Sequence, residues 1–249
     1  MTSESGAGLR RTLTLLWHGV LEPARGPRQS LSLERIVRAA IGVADAEGLA
    51  AVSMRRVASE LGAGAMSLYR YVPGKAELMD LMVDAVYAED LPALEAAEGD
   101  WRAKMEHAAR LQWATFLRHP WLLDIPQGRP MLGPNAMQST ELTLRYLDGI
   151  GLDEHEMIGV VITVSSFVTG LARTTVEERE AARRTGVSDD EWWKVHTEVL
   201  SAALPPGRMP IMDRLGEAGV WDGTYDTLTF GLERILDGVA ALVESRRRG

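Results

Sequence analysis

Residues 53–75 read SMRRVASELGAGAMSLYRYVPGK, and the breakers inside this stretch decide the fold. Met54, Val57, Ala58 and Leu61 recur at i, i+3, i+4 and i+7, which puts them on one face of a helix. Ser53 stands where the N-cap belongs. Gly62-Ala63-Gly64 ends that helix in a turn. A second short helix follows over about Ala65–Tyr71 and is stopped by Pro73-Gly74. Two short helices joined by a glycine-containing turn can seat the second helix in the major groove of DNA. The side chains offered there are small, aromatic and basic.

The flanking segments extend the pattern. Leu33, Ile36, Val37, Ala40, Ile41 and Ala44 form one buried stripe of a helix over 33–47. Ser32 is its expected N-cap, Glu34 suits the first turn, and Gly48 is expected to close it in a left-handed cap. A fourth helix is predicted over 75–88, packing Leu78, Leu81, Met82 and Ala85 on the first three. Upstream, residues 1–8 are expected to be disordered. Leu9, Leu13 and Leu16 suit a weakly docked amphipathic turn or two, and EPARGPRQSL (22–31) reads as a linker. Residues 1–31 are therefore expected to be a flexible arm. Arg25 and Arg28 fit a solvated linker or an arm reaching the minor groove.

Beyond residue 90 the apolar periodicity is helical throughout, with candidates at 100–118, 134–149, 154–182, 189–203, 209–218 and 225–246. Sustained period-two alternation is missing, so no sheet is expected. The fold class is all-α: a helix-turn-helix domain over 32–90 and a larger helical domain over 91–249. Segments 157–171 and 228–243 are the most apolar, and the second carries Gly231 and Gly238. Glycine costs about 1 kcal/mol in a helix interior, so close helix–helix approach is the expected reason for both. The pair fits either the core of one chain or a four-helix interface with a second copy. Paired reading of two half-sites favours the homodimer, through helices 154–182 and 225–246.

Composition narrows the setting. The 249 residues are 46% hydrophobic, enough for a real core, and no apolar run approaches the roughly 18 residues of a membrane span. The N-terminus lacks the clean apolar segment of a signal peptide. With 0 Cys, thiolate sites and disulfides are excluded, and a cytoplasmic location is expected. The net charge of -8 is unevenly spread: residues 1–75 hold ten Lys/Arg and six Asp/Glu, so the head is basic and the remainder acidic. DNA responds to the local field, because charges beyond about 8–10 Å are screened.

Residues 32–90 resemble the DNA-binding domain of the tetracycline-repressor (TetR) family of bacterial transcriptional regulators. The matching pieces are SMRRVASELG, SLYRYVPGK and LMDL, in register over more than fifty residues. Residues 100–245 are similar to the family's effector-binding and dimerisation half, through helix order and the fragments ELTLRYL (141–147) and FGLERILDGV (230–239). The resemblance implies a homodimer on a palindromic operator, released when a small molecule binds the C-terminal core. It implies DNA contacts from Arg55 to a phosphate or guanine edge, and from Ala65, Met66 and Ser67 to bases. Tyr69 and Tyr71 are expected on phosphates, as is Lys75, while Leu68 and Val72 are expected to pack. Arg56 fits a solvated face better than DNA.

An effector pocket should be apolar with a few polar fixings. Five of the seven Trp, Trp101, Trp113, Trp121, Trp192 and Trp193, fall in residues 100–200, so an aromatic-rich cavity for a hydrophobic or planar effector is expected. Met105, Trp113, Phe116 and Leu144 are the expected walls, with His107 and Gln138 as polar partners. Tetracycline repressors hold a magnesium–drug chelate through a histidine in the loop before the helix that matches 134–149. The corresponding loop here, IPQGRPMLG (125–133), has none, which argues against that effector, and no metal or cofactor is expected.

Rival readings have specific signals. G-x-S-x-G, H-E-x-x-H, a P-loop and G-x-G-x-x-G after a strand are all missing, so an enzyme acting on a hydrophobic molecule has no motif behind it. A DNA-binding regulator without an effector, and an activator, remain compatible with the residues.

Overall fold

The computed structural model describes residues 3–18, 31–126, 132–203, 207–220 and 225–248. Within them there are helices and no strands. The order is α1 Ser3–His18, α2 Leu33–Glu47, α3 Met54–Glu60, α4 Ala65–Leu68, α5 Lys75–Glu95, α6 Trp101–Arg118, α7 Pro134–Arg145, α8 Glu154–Thr185, α9 Asp189–Ala203, α10 Pro210–Glu217 and α11 Thr227–Arg248. Short 3-10 turns at Leu49–Ala51 and Pro120–Asp124 complete the description.

The reading head is α2, α3 and α4 packed on the N-terminal half of α5. Ile36, Ala40, Val52, Val57, Leu68, Val72, Leu78 and Met82 are fully buried there. Each of the larger side chains contributes about 1.5–3 kcal/mol by leaving water. Ser32 Oγ accepts from the Arg35 amide at 3.2 Å and Ser53 Oγ from the Arg56 amide at 3.1 Å, so both expected caps are made. Each is worth about 1 kcal/mol. Gly48 departs from expectation: it adopts φ 82, ψ 163, outside the left-handed helical basin, while its amide still bonds Ala44 O. The true left-handed glycine of the head is Gly62, at φ +63 in the turn.

Two expected boundaries move. Helix α4 closes at Leu68, and the chain continues as turns through Tyr71. Helix α5 runs past the expected stop at residue 88 to Glu95, through Pro92. The proline removes one intrahelical N–H, and the burial of Leu94 together with the Tyr146 hydroxyl bonded to Leu94 O holds the extension beyond it.

The expected flexible arm is corrected over Ser3–His18, which is helical. Thr12 and Leu15 are buried, and Trp17 Nε1 donates to Leu132 O at 2.9 Å, docking α1 beside α5 and the start of α7. Arg25 and Arg28 lie outside the described residues, as does the centre of the loop before α7.

The larger half packs α5 alongside α7, α6 against α8, and α8 against α11. Asp84 meets Asn135 and Leu94 meets Tyr146, so α5 and α7 run parallel. Arg102 pairs with Asp237 and Arg110 bonds Thr229, so α6 and α11 run antiparallel. By length and hydropathy α8 could cross a membrane, at 32 residues and 1.5 over its most apolar window. Its Val160, Val164, Val168 and Ala172 instead enter the core. A Cβ on Gly231 would collide with the Phe167 ring, so this glycine lets α8 and α11 approach. Gly238 meets nothing within 4 Å of such a Cβ, so its expected packing reason is not found within the described chain.

Candidate nucleic-acid interface and effector cavity

The head presents one face built from α3, the turn and α4. Met66 is 78% exposed at the start of α4 and Tyr69 is 46% exposed just after it. Arg55 and Lys75 are exposed on the flanking helices, while Ser67 and Ala65 are half-buried, Ala65 against the core. Tyr71 is the exception. Its ring is buried in the head with Leu68 and Val72, so its expected phosphate contact is corrected to packing. Helical phase explains this: Tyr71 follows Leu68 by three residues and shares its inward face.

The two arginines separate cleanly. Arg56 is committed to Glu47 at 2.6 Å and Glu60 at 2.8 Å, and its hydrogen bond holds the Glu47 carboxyl below the usual carboxylate range. Arg55 forms no ion pair among the described residues. It is the arginine available to a phosphate.

A cavity of about 200 Å³ lies between α5, α6, α7 and α8. Val83, Val86, Tyr87, Asp90 and Leu94 of α5 form one wall. Met105, Ala109, Gln112, Thr115 and Phe116 of α6, Ser139, Thr140 and Thr143 of α7, and Val161, Val164 and Ser165 of α8 form the others. Met105 and Phe116 line it as expected. His107, Trp113, Gln138 and Leu144 do not, and the aromatic-rich expectation is corrected: among the described lining residues only Tyr87 and Phe116 bring rings. A helix turns about 100° per residue. Once Met105 and Phe116 face inward, Ala109, Gln112 and Thr115 share that side and His107 points to solvent. Trp192 and Trp193 are exposed on α9, and Trp121 is buried elsewhere. The cavity is thus aliphatic and rich in hydroxyls. Gln112 Nε2 donates to Ser165 Oγ at 2.7 Å across it. Desolvation beside the cavity raises the Tyr87 phenol above its ordinary value, although the residue as a whole is 41% exposed.

Two polar clusters tie these walls together, and periodicity pointed to neither. Asp84 of α5 is 4% exposed. Its Oδ1 accepts from the Asn135 and Ala136 amides at 3.1 and 3.0 Å, and Oδ2 accepts from Asn135 Nδ2 at 2.8 Å. It caps α7 from a neighbouring helix. A Cβ on Gly133 would collide with the Asp84 carboxylate, so glycine is required beside the cap. Burial pushes the Asp84 carboxyl up, against the lowering effect of those hydrogen bonds.

The second cluster joins the head to the cavity. Asp45 of α2 lies 2.7 Å from His119 Nδ1 and accepts from Trp121 Nε1 at 2.7 Å. His119 Nε2 is 3.2 Å from Glu89. Arg118 reaches Glu89 at 3.2 Å and Asp90 at 3.4 Å, and the Thr115 hydroxyl donates to Asp90. Thr115 and Asp90 line the cavity, while Asp45 belongs to the head.

An exposed DNA-facing head set on a cavity-bearing helical core has clear relatives. The family model "Bacterial regulatory proteins, tetR family" matches residues 36–82, and "Tetracyclin repressor-like, C-terminal domain" matches residues 91–243. The chain belongs to the TetR family. It is 47% identical over 247 residues to the HTH-type transcriptional repressor DrrR1 of Streptomyces coeruleorubidus, covering 99% of this chain and 91% of that one. Among solved structures it is similar to apo ActR from Streptomyces coelicolor. There the TM-score is 0.67 and the identity 32%, covering 89% of this chain and 99% of ActR. ActR in complex with actinorhodin gives a TM-score of 0.69 at 31% identity, covering 85% and 96%. By name DrrR1 is a transcriptional repressor and ActR a TetR family protein, and the ActR complex places a small molecule on the same fold.

Proposed function

We propose that the chain is a ligand-responsive repressor. It binds a palindromic operator as a homodimer in the cytoplasm and releases it when a compact, mostly apolar molecule enters the cavity. The observation that carries this reading is the double use of α5. Its N-terminus presents Lys75 beside the reading face, and its C-terminal half is a wall of the cavity. At 1.5 Å per residue its 21 residues span about 32 Å, so a small tilt at the cavity moves the head appreciably. Arg55, Met66, Ser67, Tyr69 and Lys75 form the proposed DNA contacts, with Ala65 close to the base edges. Residues 32–90 serve as the head and 91–249 as the effector and dimerisation domain.

The pairing surface is α8 with α11. Ile158, Ile162 and Phe230 are large apolar side chains left exposed on these helices, at 37%, 58% and 49%. Gly170 and Gly238 leave open space where a second copy can approach. Two heads must reach half-sites about 34–36 Å apart, so a modest hinge spoils one of them. The open cavity counts against a regulator that has no effector.

The test is selection of duplexes from a random pool by the full-length chain. The expected product is a palindrome with half-sites one helical turn apart. Recovery of unrelated sequences, or of single half-sites, contradicts the reading.

A further inference from the structure

The charge lining the cavity is one-sided. Among the described lining residues Asp90 is the one formal charge, and no Lys, Arg or His is present. Its carboxylate keeps 18% of its side-chain exposure. One oxygen accepts from the Thr115 hydroxyl at 2.5 Å. The other lies 3.4 Å from Arg118, too far for full compensation, and that guanidinium is shared with Glu89 at 3.2 Å. Around this corner Asp45, Glu89 and Asp90 face Arg118 and His119, so the cluster stays net negative whether or not the imidazole is protonated. Asp84 adds a further carboxylate on the same helix.

A partly dry cavity with an under-neutralised carboxylate discriminates by charge. An anionic ligand would lose its hydration and meet repulsion, while a neutral one would leave Asp90 with only the guanidinium of Arg118, shared with Glu89. A ligand ammonium would replace water at Asp90 with a charge-assisted hydrogen bond. The remaining walls, among the described residues, offer apolar surface, hydroxyls and one amide, which suit a mostly apolar compound bearing carbonyl or hydroxyl groups. Resting on the effector reading above, we infer that the effector is a cation: a mostly apolar compound whose protonated amine pairs with Asp90.

The test uses three probes on one frame: 2-(aminomethyl)anthraquinone, 2-(hydroxymethyl)anthraquinone and anthraquinone-2-carboxylate. Binding to the full-length protein at pH 7 is read by quenching of tryptophan fluorescence. Ala109→Phe, which fills the cavity, reports whether each probe sits there. The ammonium probe is expected to bind at least about tenfold tighter than the hydroxymethyl probe, with the carboxylate weakest, from one charge-assisted bond gained or lost. Asp90→Asn should remove the ammonium advantage and leave the hydroxymethyl probe within about threefold. The wild-type ranking needs no variant, so a poorly folding substitution does not spoil the test. Equal wild-type affinity for the ammonium and hydroxymethyl probes overturns the charge inference and leaves the cavity reading standing. So does an ammonium advantage that survives Asp90→Asn. If no probe binds, or if binding is untouched by Ala109→Phe, the cavity reading fails and takes this inference with it.

Discussion

His119 Nδ1 lies 2.7 Å from Asp45 Oδ1, joining the end of α6 to the first helix of the reading head. The imidazole is 4% exposed, and Trp121 Nε1 donates to the same carboxylate oxygen. Through Arg118 the contact continues to Asp90 and Thr115 on the cavity wall. In the proposed switch this latch reports cavity shape to the head. Asp45→Asn keeps the size of the side chain and weakens the bond to His119. Operator affinity without ligand should change less than about threefold. The ligand-induced loss of affinity should shrink by about fivefold or more, a coupling of roughly 1 kcal/mol. Fluorescence anisotropy with labelled operator measures both. Undiminished release in the variant removes the latch from the switch.

The reading face predicts a division between contact and packing. Tyr69→Phe and Lys75→Ala should each weaken binding to all duplexes, and Lys75→Ala, which removes a cation, should also reduce the salt slope by about one unit. Met66→Ala should leave the melting temperature almost unchanged, because the side chain is solvent-exposed, yet change the selected base at one operator position. Tyr71→Ala should instead cost about 3–5 kcal/mol of stability, as a buried aromatic lost from the head. Denaturant melts paired with binding titrations distinguish these outcomes.

Gly62 and Gly64 offer a backbone test two residues apart. At neither would an added methyl group meet another atom within 4 Å, so sterics with neighbours play no part. Gly62 sits at φ +63, where an L-residue pays about 1–2 kcal/mol, while Gly64 sits at φ -79. Gly62→Ala should lower stability by that amount, and Gly64→Ala should change it by about 0.5 kcal/mol or less. Equal effects would contradict the turn geometry.

Asp84 gives a pH dependence with a definite sign. Its carboxyl is raised above the ordinary 3.8 by burial, so the native state holds this proton more firmly than the unfolded chain. The resulting stabilisation is present below that ordinary value and is lost as pH rises through the raised one. Asp84→Asn should therefore flatten the part of the melting-temperature profile that lies above the ordinary carboxylate value. Asp84→Ala leaves three donors at the α7 N-terminus without their acceptor and should cost at least about 2 kcal/mol at any pH. A pH profile unchanged in Asp84→Asn would contradict the assignment.

Local signals in the sequence were enough for the elements after residue 31 and for most of the head, but not for α1. Ser32 and Ser53 sit before apolar stripes, and Gly62 breaks the pattern where the turn forms. Contacts that depend on tertiary placement were harder to read. Tyr71 resembles its exposed neighbour Tyr69 in composition, and only the phase set by Leu68 turns it inward. Helix α5 outlasts Pro92 because Leu94 is buried and its carbonyl accepts the Tyr146 hydroxyl, a partner 52 residues away. The cavity was half legible: Met105 and Phe116 fix the phase of α6, from which Gln112 and Thr115 follow. Counting tryptophans misled, because Trp192 and Trp193 lie on the exposed α9 and Trp121 serves Asp45. The Asp45–His119 contact spans 74 residues and has no local signature.

If the cavity drives the switch, its occupancy and operator binding must oppose one another. The dissociation constant of the selected operator, with and without a saturating cavity ligand, reads this opposition directly. That ligand is identified as one whose thermal stabilisation of the protein disappears in Ala109→Phe. Operator binding should weaken by about 5–150-fold in the wild type, corresponding to a coupling of roughly 1–3 kcal/mol, and should not change in Ala109→Phe. An unaltered dissociation constant in the wild type at ligand saturation would refute the switch.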